Sequence, residues 1–307
     1  MRLDRWFHVH FPALTHAYLN KLLRTGQVRV DGARAKANAR LAEGQTVRIP
    51  PLQFEMRAAD APGEGVRPLS PKDRALLKDL TLYEDADVIV LNKPPGLAVQ
   101  GGTKTVRHID GLLESWGLEL GERPRLVHRL DRDTSGVLVI AKRRHVASAL
   151  GKLFATRAVS KTYWAVVPGL PSPRQGTIDA PLVKAKGADQ DRVRLAEKGE
   201  EGAQKAITHY EVIDHAGHAF ALLEVNPVTG RQHQIRAHLA LIGHPILGDN
   251  KYEGDRAVPA AIDNRLHLHA RRIAFPHPRT GKTIEVTAPL PPVLRKTFDA
   301  LGFEGVR

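Results

Sequence analysis

The chain has 307 residues and no cysteine, and its 46 Lys plus Arg against 33 Asp plus Glu leave a net charge of +13. Without cysteine there is no disulfide framework, thiolate nucleophile or Cys-based zinc site, and 42% apolar residues exclude global disorder. A charge this positive points to a polyanionic partner, nucleic acid first.

No apolar run reaches the length of a membrane span, so no membrane partner is expected. Met1-Arg2-Leu3-Asp4 lacks the hydrophobic stretch of a signal peptide, and the cytoplasm is the expected location. No oligomer is signalled, and a monomer is expected.

Residues 1–50 read as a compact unit. Leu3, Trp6 and Phe7 recur at helical spacing up to Phe11-Pro12. Thr15 is placed to cap a second helix lined by Tyr18, Leu19, Leu22 and Leu23, and Gly26 to stop it. Gln27-Val28-Arg29-Val30 leads into Asp31-Gly32, a favoured hairpin turn, and Val47-Arg48-Ile49 reads as a closing strand. Lys21, Arg24, Arg29 and Arg34 can form one basic face across helix and hairpin, which suits RNA phosphates. The competing reading is a helical cap that binds nothing. Residues 51–75, rich in Ala, Gly and Pro, read as a linker before a main domain over 76–307.

The main domain opens with strands at Thr81 to Tyr83 and Val88 to Leu91, then the turn Asn92-Lys93-Pro94-Pro95-Gly96. Ile109, Leu112, Leu113 and Trp116 mark an amphipathic helix. Next comes LVHRLDRDTSGVLVIAK, Leu126 to Lys142, which sets Asp131 and Asp133 among His128, Arg129 and Arg132 ahead of a buried strand. Carboxylates set against guanidinium groups are held ionised, and a positioned Asp can act as nucleophile, base or metal ligand. If the segment is extended, Arg129, Asp131 and Asp133 share one face. A salt-bridged turn that only anchors the strand is the bland alternative.

Val146, Ala149, Leu150, Leu153 and Phe154 then fit one helical face. Lys161-Thr162-Tyr163-Trp164-Ala165-Val166-Val167 reads as a strand with Lys161, Tyr163, Ala165 and Val167 on one face. Residues 184–202 read as an exposed polar excursion. Ala206 to Ile213 and Phe220 to Val225 form a strand pair leading into Thr229-Gly230-Arg231-Gln232-His233-Gln234-Ile235-Arg236-Ala237-His238, helical from Gln232 to Ile242. Gly243-His244-Pro245-Ile246-Leu247-Gly248-Asp249 follows. No metal site is expected, because His233 and His238 are five apart and no acid or Cys completes a ligand set. The tail returns to strands, Leu266 to Phe275 and Thr283 to Val286, and ends in a helix marked by Val293, Phe298 and Leu301.

Short strands in series with a few helices do not give the βα alternation of a parallel sheet. The expected class is α+β, with a mixed, largely antiparallel sheet flanked by helices and a small N-terminal α/β module.

The phrase HRLDRDTSG with its apolar run resembles the signature of the RluA-type pseudouridine synthases. The N-K-P loop, the K-x-Y-x-A-x-V-x-G phrase from Lys161 to Gly169 and the TGRxHQIRxH phrase from Thr229 to His238 extend the resemblance. The N-terminal block is similar to the S-four-type RNA-binding module. The resemblance implies an isomerase that converts uridines in RNA to pseudouridine by flipping the target base, with Asp131 catalytic and Tyr163 in the active site. It implies Arg231 as the partner of Asp131, with Arg236 the alternative, and Arg129 filling the gap left by the flipped base. Asp131 attacks the uracil ring or the ribose C1′, or stabilises a charged sugar; these stay open. The reaction changes no redox state and loses no atoms, so no cofactor is expected. The amino-terminal module and the Val47 to Pro51 ending look most like the members that modify large-subunit (23S) ribosomal RNA. A tRNA target within the family and a noncatalytic RNA-binding assembly factor are the alternatives.

Overall fold

The computed structural model describes residues 1–11, 14, 16–51, 66–101, 107–185, 192–252, 258–260 and 262–304. Contacts divide the chain into two units, 1–61 and 62–307.

In the first unit, α1 (Leu3–His10) and α2 (His16–Arg24) pack on a three-stranded antiparallel sheet of β1 (Arg29–Val30), β2 (Ala33–Arg34) and β3 (Val47–Arg48). The apolar positions at helical spacing, Leu3, Phe7, Leu19, Leu22 and Leu23, close the core with Val28. Gly26 stops α2 with φ 72°, and Asp31 and Gly32 turn the hairpin with φ 49° and 76°. Thr15, expected to cap α2, lies outside the described residues. Lys21, Arg24 and Arg34 are exposed. Arg29 is drawn inward: Nε donates to Gly26 O (3.2 Å) and Nη1 to Gly32 O (3.0 Å). It ties the Gly26 and Gly32 turns and is half-buried, whereas Lys21, Arg24 and Arg34 stay exposed.

The second unit starts inside the expected linker, whose last five residues, 71–75, belong to α3 (Pro71–Leu80). Ser70 Oγ accepts from Asp73 N–H (3.1 Å) and Pro71 fills the first helical turn, where a missing N–H costs nothing. A proline read as a linker residue is here a helix starter.

The remaining elements follow in order: β4 (Thr81–Glu84), β5 (Val88–Lys93), α4 (Ile109–Leu120), β6 (Arg125–Leu126), β7 (Ser135–Ala141), α5 (Arg144–Ala155), β8 (Ser160–Pro168), β9 (Gln175–Asp179), β10 (Leu182–Lys184), β11 (Val193–Leu195), β12 (Ile207–Ala216), β13 (Phe220–Pro227), α6 (Gln234–Leu241), β14 (Leu268–Pro276), β15 (Thr283–Thr287) and α7 (Pro292–Leu301). The main sheet runs β4-β5-β7-β14-β8-β13-β12-β9, with β6 on β7 and β15 on β14. Every pair in it is antiparallel except β7 with β14. The sheet is therefore mixed and largely antiparallel, flanked by helices, as the strand pattern implies. The expected polar excursion over 184–202 instead carries β11, whose Val193 is buried against Leu182, Ala206 and Ala237. Polar neighbours around one short apolar patch hide a strand that pairs with the preceding β10 and is covered by Ala237 of α6.

At the parallel pair, Ala270 lies opposite Gly136. Gly136 has φ 109°, and a Cβ there would stand 2.1 Å from Ala270 O. Gly136→Ala should cost about 3 kcal/mol or more, through strand displacement and left-handed strain. Chemical denaturation checks this; an unchanged midpoint would mean that the two strands part freely.

Candidate active site

Asp131 sits in the loop that feeds β7, and three anchors fix that loop. His128 turns inward, stacks on Phe154 with centroids 4.8 Å apart, and accepts from Val139 N–H through Nε2 (2.8 Å). Burial pushes its pKa down to about 3, so the ring stays a neutral acceptor. Leu130 is buried in the core. Lys93 is fully buried, and its Nζ donates to Pro94 O (2.9 Å), Leu97 O (2.9 Å) and Arg132 O (2.8 Å). Burial pulls the Lys93 pKa down to about 7 against the opposing pull of Asp133 and Asp131. Its three carbonyl acceptors use every N–H of the ammonium form. Lys93 is thus an internal tie between two loops, with no donor left for a phosphate.

The tie also bends the chain. Gly96 N–H donates to Arg132 O (3.0 Å) and Arg132 Nε donates back to Gly96 O (3.1 Å). The extended alternation therefore ends after Asp131. Arg129 and Asp131 line one cavity, while Asp133 is exposed and outside it.

The guanidinium beside Asp131 belongs to Arg236, not Arg231. Arg236 Nη1 lies 3.4 Å from Asp131 Oδ2, and α6 delivers it from the buried side. Arg231 precedes the helix, is exposed, and donates its Nε to Lys205 O (3.1 Å). Both line the cavity, but only the helical residue points across it to the carboxylate. Sequence spacing could not choose, because the break between turn and helix lies between them.

Arg236 is itself held. Asp249 accepts from Nε (2.7 Å) and from Nη2 (2.6 Å), a fork that leaves Nη1 for Asp131. The Asp249 side chain is 0% exposed. Tyr252 lies under the guanidinium, 5.3 Å from Cζ to the ring centroid, and its hydroxyl bridges the N–H (2.9 Å) and C=O (3.2 Å) of Val193. His233 joins the same network: Nδ1 is 3.1 Å from the Tyr252 hydroxyl and Nε2 is 3.7 Å from Asp131 Oδ2. Burial holds the His233 pKa below its usual range despite Asp131.

Gln234 shapes the turn before α6. Its Oε1 accepts from Thr229 Oγ1 (2.6 Å) and Arg231 N–H (3.0 Å), and its Nε2 donates to Ile207 O and Thr208 Oγ1 (2.9 Å each). Asp249, Tyr252 and Gln234 were given no role from sequence. Gln234 stands at a fixed place of the TGRxHQIRxH phrase, and Asp249 ends the stretch from Gly243 that continues it.

Tyr163 on β8 packs against two core clusters where they meet, and lines the Asp131 cavity. Burial, then Asp131, push its phenol pKa upward. The phenolate form is disfavoured there, which turns Tyr163 from a proton acceptor toward a packing surface for a ring. Arg129 is exposed at the mouth, with Nη1 3.4 Å from Gln100 Oε1. The cavity holds 160 Å³, and among the described residues Asp131 is the only carboxylate that lines it.

Residues 87–241 match a family model described as RNA pseudouridylate synthase. The chain is 37% identical over 316 residues to the ribosomal large subunit pseudouridine synthase C of Salmonella typhi, covering 98% of this chain and 92% of that one. The protein of the same name from Escherichia coli strain K12 matches with the same identity and coverage. Among solved structures, human RNA pseudouridylate synthase domain containing 4 superposes with a TM-score of 0.63 at 29% identity, over 75% of this chain and 97% of that chain.

Proposed function

The chain belongs to the RNA pseudouridylate synthase family, whose members are isomerases, and on that premise we propose that its substrate is large-subunit ribosomal RNA and that Asp131 carries the chemistry. One observation supports the reading above the others: Asp131, Arg236 and Tyr163 line a cavity of 160 Å³, with Arg236 Nη1 3.4 Å from the carboxylate.

The isomerisation breaks the N-glycosidic bond, turns the uracil while it is held, and joins C5 to the sugar. The C5 proton leaves and N1 gains one, so atoms balance. Asp131, oriented by Arg236, supplies the negative charge at the breaking bond. Tyr163 and Leu268 supply apolar walls for the ring as it turns. A target inside folded RNA must leave its stack at a cost of a few kcal/mol. Arg129 at the mouth is placed to occupy the gap, and Arg231 to meet a phosphate. The names of the relatives, ribosomal large subunit pseudouridine synthase C, favour ribosomal RNA over tRNA. The test is to incubate the purified protein with large-subunit ribosomal RNA and with tRNA transcripts and map pseudouridine in each. No pseudouridine in either removes the proposed substrate; product in tRNA alone redirects it.

The N-terminal unit is assigned the RNA grip, through exposed Lys21, Arg24 and Arg34. Deleting residues 1–50 should weaken turnover of large RNA by about 10-fold or more, the effect of losing a few phosphate contacts at moderate salt. Turnover of a short fragment should change little. Equal activity of the truncated and whole proteins on both substrates would remove that role.

A further inference from the structure

Beside the 160 Å³ cavity lies a second of 430 Å³, and Arg129, Lys161, Tyr163 and the turn Thr229-Gly230-Arg231 line both. Small-ligand pockets run from about 300 to 1,000 Å³. The second cavity falls within that range, and the first lies below it.

The charge of the second cavity is one-sided. Arg129, Arg157, Lys161 and Arg231 line it, and among the described residues no carboxylate does. Lys161 extends from β8 beside Tyr163, is half-buried, and among the described residues its ammonium has no hydrogen-bonding or ionic partner. A cation taken out of water without a counter-charge is costly unless an anion arrives. Arg157 follows α5 with φ 62°, a left-handed position where glycine is the unstrained choice. Its side chain is exposed, and its guanidinium has no partner among the described residues. Phe154, half-buried and backed by His128, forms an apolar wall of the same cavity.

We propose that this cavity is a second nucleotide site, which holds the phosphodiester adjoining the target uridine on Lys161 and Arg157 and seats the neighbouring nucleotide against Phe154. It rests on the RNA reading above. The shared wall of Lys161 and Tyr163 makes occupancy of the two cavities by consecutive nucleotides of one strand the natural fit. Recognition there is of charge and shape, so the neighbour's base identity matters less than its backbone.

The test uses the whole protein and a five-nucleotide RNA with one central uridine, which fixes the register. Each of the four linkages is replaced in turn by a neutral methylphosphonate, and binding is read by fluorescence anisotropy. The wild type should lose about 10-fold in affinity when one linkage beside the uridine is neutralised, the scale of one charged hydrogen bond, and far less at the outer linkages. Arg157→Ala and Lys161→Met should each weaken the parent RNA by a similar factor and erase that dependence. An abasic neighbour should weaken binding less than the neutral linkage. Equal sensitivity at all linkages, or variants that keep the wild-type pattern, overturns the site. The linkage scan on the wild type needs no variant, so misfolding of either variant does not decide the result. Pseudouridine is assayed in the same samples: the linkage pattern without product would sink the catalytic reading and leave the site standing.

Discussion

Asp131→Asn should reduce pseudouridine formation by about 10⁴-fold or more while RNA affinity stays within a few-fold of wild type. The magnitude is that of removing the central reacting group from a site whose members act as a unit. Asparagine keeps the volume and a carbonyl acceptor for Arg236, so the cavity and its lining should survive. The lost quantity is the negative charge that meets the developing charge at the sugar–base bond, and a neutral amide does not supply it. Release of tritium from RNA labelled at uridine C5, followed under single turnover, reads the chemistry apart from product release. Retention of even 1% of the wild-type rate would move the chemistry to another group.

Asp249→Asn should lower single-turnover rate by about 10²-fold with little change in RNA affinity. Asp249 is a positioning residue: it is not among the residues that line the cavity, and it acts through the fork on Arg236, which does. The amide can accept at one oxygen only, so one arm of the fork is lost and the buried guanidinium loses its closer counter-charge. Breaking a buried pair this way costs about 3–5 kcal/mol. Part of that appears as a lower melting temperature and part as a guanidinium that swings from Asp131. The two parts separate experimentally. In Asp131→Asn background the second substitution should still lower stability but should no longer change the residual rate. A rate unchanged by Asp249→Asn alone would show that Arg236 holds its place through Tyr252 and the helix.

Much of this architecture could be read before any coordinates. Apolar periodicity placed β5, β7, β8, β13, α4, α5 and α7, because each buries one face or both against a continuous core. The departures have local causes. The expected linker hid α3, because Ser70 and Pro71 start a helix with residues that also mark loops. The polar stretch hid β11, which exists because Val193 pairs with Lys184 and carries the Tyr252 hydroxyl on its backbone. Lys93 reads from sequence only as part of a turn, yet it finds three carbonyls supplied by two loops that lie 39 positions apart at their farthest link.

The sequence by itself determined that this is a basic α+β chain whose Asp131 leads a buried strand and whose Tyr163 lies on another. Those are properties of neighbours along the backbone, and side-chain periodicity reports them. Only the tertiary structure decided that Arg236 rather than Arg231 faces Asp131, 105 positions away, and that Asp249 holds it there. The physical reason is that an ion pair across a cavity depends on the direction in which a helix delivers its side chains. That direction is set by how α6 packs on the sheet, a contact no local pattern encodes.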